Sequence, residues 1–209
     1  AAMGTAALFA VDKLLLIGGG VWLEAATALG IFSFVGANLF ALSQSNDRRL
    51  LGYSSVAQIG LVLLVIGQRD LLGDAYLYIG GGILIAHAIA KAGLFWLSGL
   101  VAGRELTAWA ALRQRPLLLF AFATFIALLI GLPPFPGFYA KWELLHHLAS
   151  ADQVLLLGLI LFGALLEASF LFRWFGYALK REVAEPAACP PQKMAAITLA
   201  ALAAWGVAW

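Results

Sequence analysis

Charge is scarce in this chain: of its 209 residues, only 11% are Asp, Glu, Lys or Arg. A soluble domain is about half apolar and about a quarter charged. Here 63% of residues are hydrophobic and the mean hydropathy is +0.94. That excludes a water-soluble globule. It also excludes disorder, which requires low hydrophobicity and high net charge. Cysteine is rarer still, and the lone Cys189 excludes disulfide frameworks and thiolate metal clusters. Lys and Arg number 13 against 11 Asp and Glu, a net +2, too small and too scattered for nucleic-acid binding. Also missing are a nucleophile elbow, a zinc-ligand spacing, a Walker loop and a dinucleotide fingerprint. The chain therefore shows no place for ATP or a redox cofactor, and its energy has to come from an ion gradient or from partner subunits. What is left is an integral membrane protein.

A spanning helix needs about 20 apolar residues, roughly 17–25. By that rule seven or eight segments are predicted: Ala1–Gly20, Val21–Ser43, Leu50–Gly67, Ala75–Ala102, Leu117–Leu132, Gly137–Ala149, Val154–Leu179 and Met194–Trp209. No strand alternation persists, so the expected fold is all-α, a polytopic transmembrane bundle, and not a β-barrel. The first segment has no cationic leader, and Asp12-Lys13 interrupts it, unlike a signal peptide. The chain opens on Ala1 and its last apolar run stops in mid-course. We expect a single transmembrane domain over residues 1–209 that is a piece of a longer protein.

The connections hold most of the charge: Asn46-Asp47-Arg48-Arg49, Gln68-Arg69-Asp70, Arg104-Glu105, Arg113-Gln114-Arg115, and Lys180 to Lys193 with Pro186, Pro190 and Pro191 as breakers. Arginines after the second and fourth segments place those loops on the cytoplasmic side. Strict alternation then puts Lys180-Arg181 on the far side if Gly137–Ala149 crosses. That segment is short, about 20 Å at 1.5 Å per residue against a core of about 30 Å. Either it is half of a broken crossing or the charge rule fails here.

A charge at the bilayer centre costs at least ~2.5–3.5 kcal/mol on insertion scales, so such residues face the protein interior and mark function. Asp12-Lys13, Glu24, His87, Lys91, Lys141, Glu143 and Glu167 all lie within apolar segments. His87 and Lys91 are spaced i, i+4, on one helix face. Desolvation makes a lysine able to exchange a proton near neutral pH, and histidine needs little help to do so. One face carrying both is a candidate piece of a proton wire. The bland reading is a lysine snorkelling to the headgroups, for which Lys91 is too central in its segment. Glu167 and Arg173 are six apart, on different faces, so Glu167 is expected to find its partner on another helix.

Gly131-Leu132-Pro133-Pro134-Phe135-Pro136-Gly137 joins two apolar stretches without a charge. Three prolines remove three backbone donors and break any helix. Two readings stay open: a break inside the membrane, tolerated only beside protein or a watery cavity, or a tight extramembrane turn. Lys141 follows on the new helix, and transporters place ion sites at such breaks. Asn46-Asp47-Arg48-Arg49 reads as interfacial charge, followed by polar Tyr53-Ser54-Ser55 and Gln58 able to hydrogen-bond across helices. Gly80-Gly81-Gly82 reads as close helix packing rather than a phosphate loop. His146-His147 are adjacent and point to different faces, a poor metal pair, so no metal site is expected. Trp22, Trp109 and Trp174 lie near segment ends, as an aromatic belt requires.

The block Ala37-Asn38-Leu39-Phe40-Ala41-Leu42-Ser43-Gln44-Ser45-Asn46-Asp47-Arg48-Arg49-Leu50-Leu51-Gly52-Tyr53-Ser54-Ser55-Val56-Ala57-Gln58-Ile59-Gly60 resembles a signature of the antiporter-like membrane subunits of respiratory complex I, membrane-bound hydrogenases and Mrp-type sodium/proton antiporters. His87-Ala88-Ile89-Ala90-Lys91-Ala92-Gly93-Leu94-Phe95 is similar to that family's histidine–lysine helix. The run from Gly131 to Lys141 resembles its second broken helix. The order and spacing of the three blocks agree as well. The resemblance implies inverted repeats, each with a discontinuous helix, of which this chain would hold the second. It also implies Lys91 as the central relay lysine, His87 its neighbour and Lys141 the exit-side lysine, with a weaker claim on Lys13; Glu24 and Glu167 are weaker relay candidates as charges within apolar segments. Where the family has Lys-Arg before Leu-Leu-Gly-Tyr-Ser-Ser, this chain has Arg48-Arg49. Arginine stays protonated, so Arg48 and Arg49, like Pro133 and Pro134, are assigned structural or electrostatic roles.

The expectation is a proton-translocating, non-redox subunit of a complex I-like or hydrogenase complex in a bacterial, archaeal or organelle inner membrane. Flavin and iron–sulfur clusters would lie in partner subunits, and further antiporter-like subunits would be neighbours. One alternative is a subunit of a multisubunit Na⁺(K⁺)/H⁺ antiporter, for which the few carboxylates (Asp12, Glu24, Glu143, Glu167) are a poor cation cage. The other is a structural membrane subunit whose buried charges only pair with neighbours.

Overall fold

The structure is a computed structural model that describes residues 8, 10, 12, 13, 20–180 and 191–206. Most of the predicted first segment, Cys189, Arg181, Pro186 and Pro190 lie outside the described residues. The elements are α1 (Gly20–Leu42), α2 (Asp47–Gly67), the short α3 (Arg69–Leu72), α4 (Ala75–Ser98), a 3-10 helix (Leu106–Gln114), α5 (Pro116–Ile130), α6 (Pro136–Ser150), α7 (Val154–Leu179) and α8 (Pro191–Gly206). Four of these, α1, α2, α4 and α7, are long and apolar enough to cross a membrane.

Packing follows from small residues at helix crossings, the usual way apolar helices approach in a membrane. Where α1 meets α2, a Cβ on Gly30 would sit 2.6 Å from the Leu64 amide nitrogen, and one on Gly60 would sit 2.8 Å from the Gly30 carbonyl oxygen. Gly163 of α7 lies under the ring of Phe34, and its carbonyl accepts from Asn38 Nδ2 at 3.1 Å. The apolar side chains divide into two clusters. One joins α1, α2, α4 and α6 around Phe34, Leu61, Ile79 and Leu144. The other joins α4, α5, α7, α8 and the 3-10 helix around Trp109, Phe122, Phe170 and Trp174.

The directions of the helices can be read from the contacts at their ends. Arg173 of α7 donates to the carbonyls of Leu42 and Gln44 past the end of α1. Ser98, at the end of α4, donates to the Asp47 carboxylate at the start of α2. Arg113 donates to the Leu179 carbonyl at 2.6 Å. The ends of α1, α4 and α7 and the starts of α2 and α5 thus share one face of the bundle. Gln68 donates to Thr27 Oγ1 at 3.1 Å at the opposite face, where α6 packs against α3. Helices α5 and α6, each 15 residues long or about 22 Å, therefore make one crossing between them, broken at Leu132–Phe135. Of the two readings of the Gly-Pro run, the helix contacts support a break between two halves of one crossing. The charge pattern then falls into order: Arg48, Arg49, Arg104, Arg113, Arg115, Arg173 and Lys180 all gather at the first face.

Three expectations are corrected. Helix α4 ends at Ser98 instead of continuing to Ala102, because residues 99–105 fold back so that Asp47 N donates to Arg104 O at 2.9 Å and Leu106 N to Ser45 O at 2.8 Å. Trp109 and Trp174 are not belt residues. Both are wholly buried, 4.5 Å apart between ring centroids and edge-on at 76°, because the 3-10 helix tucks under α7 and carries Trp109 inward. Asp47 is not interfacial charge either. It is buried and takes the Arg48 amide at 2.7 Å, while Asn46 caps α2 by accepting from the amides of Arg48 and Arg49, at 3.1 Å each. Trp22, 59% exposed at the start of α1, keeps its expected place.

Gly30→Ala is expected to force α1 and α2 apart and to cost about 1–3 kcal/mol, as overpacking does. Gly36→Ala, where nothing lies within 4 Å of the added carbon, is expected to leave stability unchanged or raise it slightly. Thermal unfolding of the two variants in detergent checks the contrast.

Candidate functional site

The site is built where the broken helix passes α4. Gly131 ends α5 in the left-handed region, φ 80°, with its amide on the Ala127 carbonyl. A non-glycine residue there would be strained. The chain re-enters a helix at Pro136, a residue suited to a first turn because its missing N–H is unpaired there anyway. A Cβ on Gly137 would lie 2.9 Å from the Ala86 methyl, and one on Gly82 would lie 2.8 Å from that of Ala140. So of the three consecutive glycines, Gly82 is the one that admits close packing, and α6 is pressed against the face of α4 that carries His87.

Lys141 then turns back over the break. Its Nζ donates to the Ile130 carbonyl at 2.9 Å, one of the carbonyls a helix end leaves without an internal partner. That places a cation at the negative end of the α5 dipole. The same Nζ lies 3.1 Å from Glu167 Oε2 of α7. Glu167 is fully buried, and its other oxygen accepts from Gln58 Nε2 of α2 at 2.6 Å. Glu167 thus finds its partners on other helices, as expected, and they come from two.

One helix away, Lys91 is 2% exposed and donates to the Leu51 carbonyl of α2, which also accepts from the Ser55 hydroxyl at 3.0 Å. His87 stands one turn before Lys91, buried, with Nδ1 lacking a hydrogen-bond partner among the described residues. A small cavity, on the order of one water molecule in size, is lined by Gln58, Ala86, His87, Gly131, Gly137 and Lys141. His87 lies within the fields of both Lys91 and Lys141, and Lys91 within that of Glu167. The three main relay candidates, Lys91, His87 and Lys141, therefore converge, and Glu167 joins them.

The remaining candidates lie elsewhere. Glu24 is exposed, in a pocket with Thr27, Gln68 and Asp70 at the face opposite the arginines. Lys13 is exposed and lines a separate groove with Asp12, Tyr76 and Gly80, where Asp12 lies 3.8 Å from Arg69. Arg48 and Arg49 are exposed on the first turn of α2. Pro133 and Pro134 form the break itself. The adjacent histidines share a neighbour: one ligating atom each from Glu143, His146 and His147 lie within 4.8 Å of one another. The residues diverge at the backbone, yet both follow Glu143 by one turn, at i+3 and i+4, and flank it from either side.

Residues 1–167 match the family model described as NADH:quinone oxidoreductase/Mrp antiporter, TM. The chain belongs to this family. It is 35% identical over 159 residues to NADH-quinone oxidoreductase subunit N of Rubrobacter xylanophilus, an alignment covering 72% of this chain and 32% of the relative. Respiratory complex I from Thermus thermophilus superposes with a TM-score of 0.69 at 28% identity, over 88% of this chain and 43% of that one. The Mrp complex from Dietzia sp. shares the fold, with a TM-score of 0.73 at 19% identity over 97% and 47%. The chain spans less than half the length of each of these proteins' matched chains.

Breaking a buried ion pair by removing one partner costs roughly 3–5 kcal/mol, whereas replacing both can be neutral. Glu167→Leu is expected to destabilise the protein by an amount in that range, and Lys141→Met with Glu167→Leu to recover most of the loss. A double-mutant cycle by thermal unfolding in detergent checks the coupling.

Proposed function

We propose that this chain is part of a proton-translocating membrane subunit of a redox-driven, complex I-like assembly. The observation that carries the reading is the ion pair of Lys141 with Glu167 at an intramembrane helix break, opening on a cavity shared with His87, one turn from Lys91. A buried ring nitrogen needs a hydrogen-bond partner, and water in the cavity would serve His87 Nδ1. A proton passes from Lys91 to His87 and through that water to Lys141 once Lys141 has released its own proton on the exit side, and Lys91 is then reloaded from the entry side.

Electrostatics give the relay its direction. While Lys141 is closed on Glu167, His87 stands within the fields of two charged lysines and no proton moves. When Lys141 gives up its proton on the exit side the pair opens, the cavity loses a positive charge, and His87 takes a proton from Lys91 and passes it to the neutral Lys141, which closes again on Glu167. Flavin and iron–sulfur chemistry belongs to partner subunits, whose redox steps would drive opening and closing. The end of the bundle rich in arginine faces the cytoplasm.

Relatives named as quinone oxidoreductase subunits support the redox-driven reading over cation exchange. So does the allocation of carboxylates. Glu167 is taken by Lys141 and Gln58, and Asp12 faces Arg69.

Lys91→Ala and Lys141→Ala are expected to abolish proton pumping by the assembled complex while subunit content and electron transfer persist. Proton/electron stoichiometry in sealed vesicles checks this, and wild-type values would overturn the relay. Mass spectrometry of the native complex is expected to find partners with flavin and iron–sulfur motifs. Na⁺-dependent dequenching of a pH dye in vesicles without an electron donor would establish exchange instead. A cysteine placed at Thr107 is expected to react with an impermeant maleimide from the cytoplasmic side only.

A further inference from the structure

The relay does not use the other end of α6. There Glu143, His146 and His147 bring one carboxylate oxygen and two imidazole nitrogens within 4.8 Å of one another. We propose that these three side chains bind a single first-row divalent transition metal, of the Zn²⁺, Co²⁺, Ni²⁺ and Cu²⁺ class. Imidazole with carboxylate is the donor set these ions prefer, and Mg²⁺ or Ca²⁺ would need more oxygens. Ligand atoms of one tetrahedral zinc, each about 2.0–2.2 Å from it, sit roughly 3.4 Å apart. Rotations of side chains that are exposed or only half-buried close the difference.

A second observation points the same way. Nδ1 of His147 lies 3.0 Å from the Glu143 carbonyl oxygen and 3.5 Å from Glu143 Oε1, so the half-exposed carboxylate has to swing to the Nε2 side of the ring to share a metal with it. A ring N–H held on a backbone carbonyl is how metal-ligating histidines are oriented, and it leaves Nε2 with a lone pair for the metal. The cluster falls in the last two turns of α6, where the helix dipole favours a cation. With three protein ligands, the ion keeps at least one position for water or an outside donor. A metal here would stiffen the free end of the half-helix whose start holds Lys141.

The test is titration of the tag-free full protein in detergent with Cu²⁺, followed by electron paramagnetic resonance, and with Co²⁺, followed by its visible ligand-field bands. The expected result is one saturable equivalent per chain with nitrogen hyperfine structure on copper. Loss of an outer-shell partner alone weakens metal sites roughly 10–100-fold. His146→Ala and His147→Ala are therefore each expected to weaken binding at least about tenfold, and Glu143→Gln to weaken it while keeping the nitrogen signature. Absence of saturable binding, or binding that none of the three substitutions changes, would overturn the site. Thermal unfolding of the metal-free variants at the wild-type midpoint confirms that a lost signal is not lost folding.

Discussion

A charge withdrawn from water must be matched where it sits, and this chain meets that constraint with an ion pair at the break between α5 and α6. An uninterrupted helix would satisfy its own carbonyls and offer Lys141 nothing. The break exposes the Ile130 carbonyl at the negative end of α5, and Lys141 closes on it and on Glu167 together. The backbone interruption and the buried cation therefore answer each other. Gly131 in its left-handed conformation and the Gly82, Ala86, Gly137 and Ala140 contacts bring the pair to α4 instead of leaving it against lipid.

From that pairing the rest of the polar interior is ordered. Gln58 holds the second oxygen of Glu167, so the carboxylate is fixed between α2 and α7 whether or not Lys141 is bound to it. Lys91 rests on a carbonyl, which accepts a hydrogen bond from the ammonium but cannot neutralise its charge. One lysine is thus paired with an anion and the other is not, and a histidine stands within the field of both. Such an arrangement responds strongly to small displacements, because Coulomb energies in a low-dielectric interior change steeply with distance.

Most of the helices were legible in the sequence, since a run of apolar residues between charged loops has few other outcomes. The run Val154–Leu179 matches its helix at both ends. Lys91, His87 and Lys141 were legible for a related reason: a charge in such a run is conspicuous. Legibility failed where residues act through tertiary placement. Asp47 sits among charged residues and looks interfacial, yet the return of residues 99–105 buries it against Ser98. Trp109 and Trp174 have the sequence positions of belt residues, and only the folding back of the 3-10 helix turns them inward. Glu167 showed that it needed a partner but not which one, because a buried glutamate carries no mark of the helix that will face it. The grouping of Glu143 with His146 and His147 was hidden by reading the two histidines against each other and not against the residue one turn before both.

The placement of the two kinds of cation is the strongest link from structure to function. Arginines 48, 49, 104, 113, 115 and 173, which keep their protons at any physiological pH, lie at one face of the bundle. Lys91, His87, Lys141 and Glu167, the groups of the proposed relay, lie in its interior. Fixed charge at the surface sets orientation and costs little, whereas fixed charge at mid-depth would hold a permanent barrier against any proton. Exchangeable charge in the interior creates a barrier that depends on occupancy. If buried charge served only to hold helices together, arginine would suit it at least as well as lysine, with more hydrogen bonds per side chain. The use of lysine and histidine at every cationic interior position of this cluster is what the proposed conducting path requires.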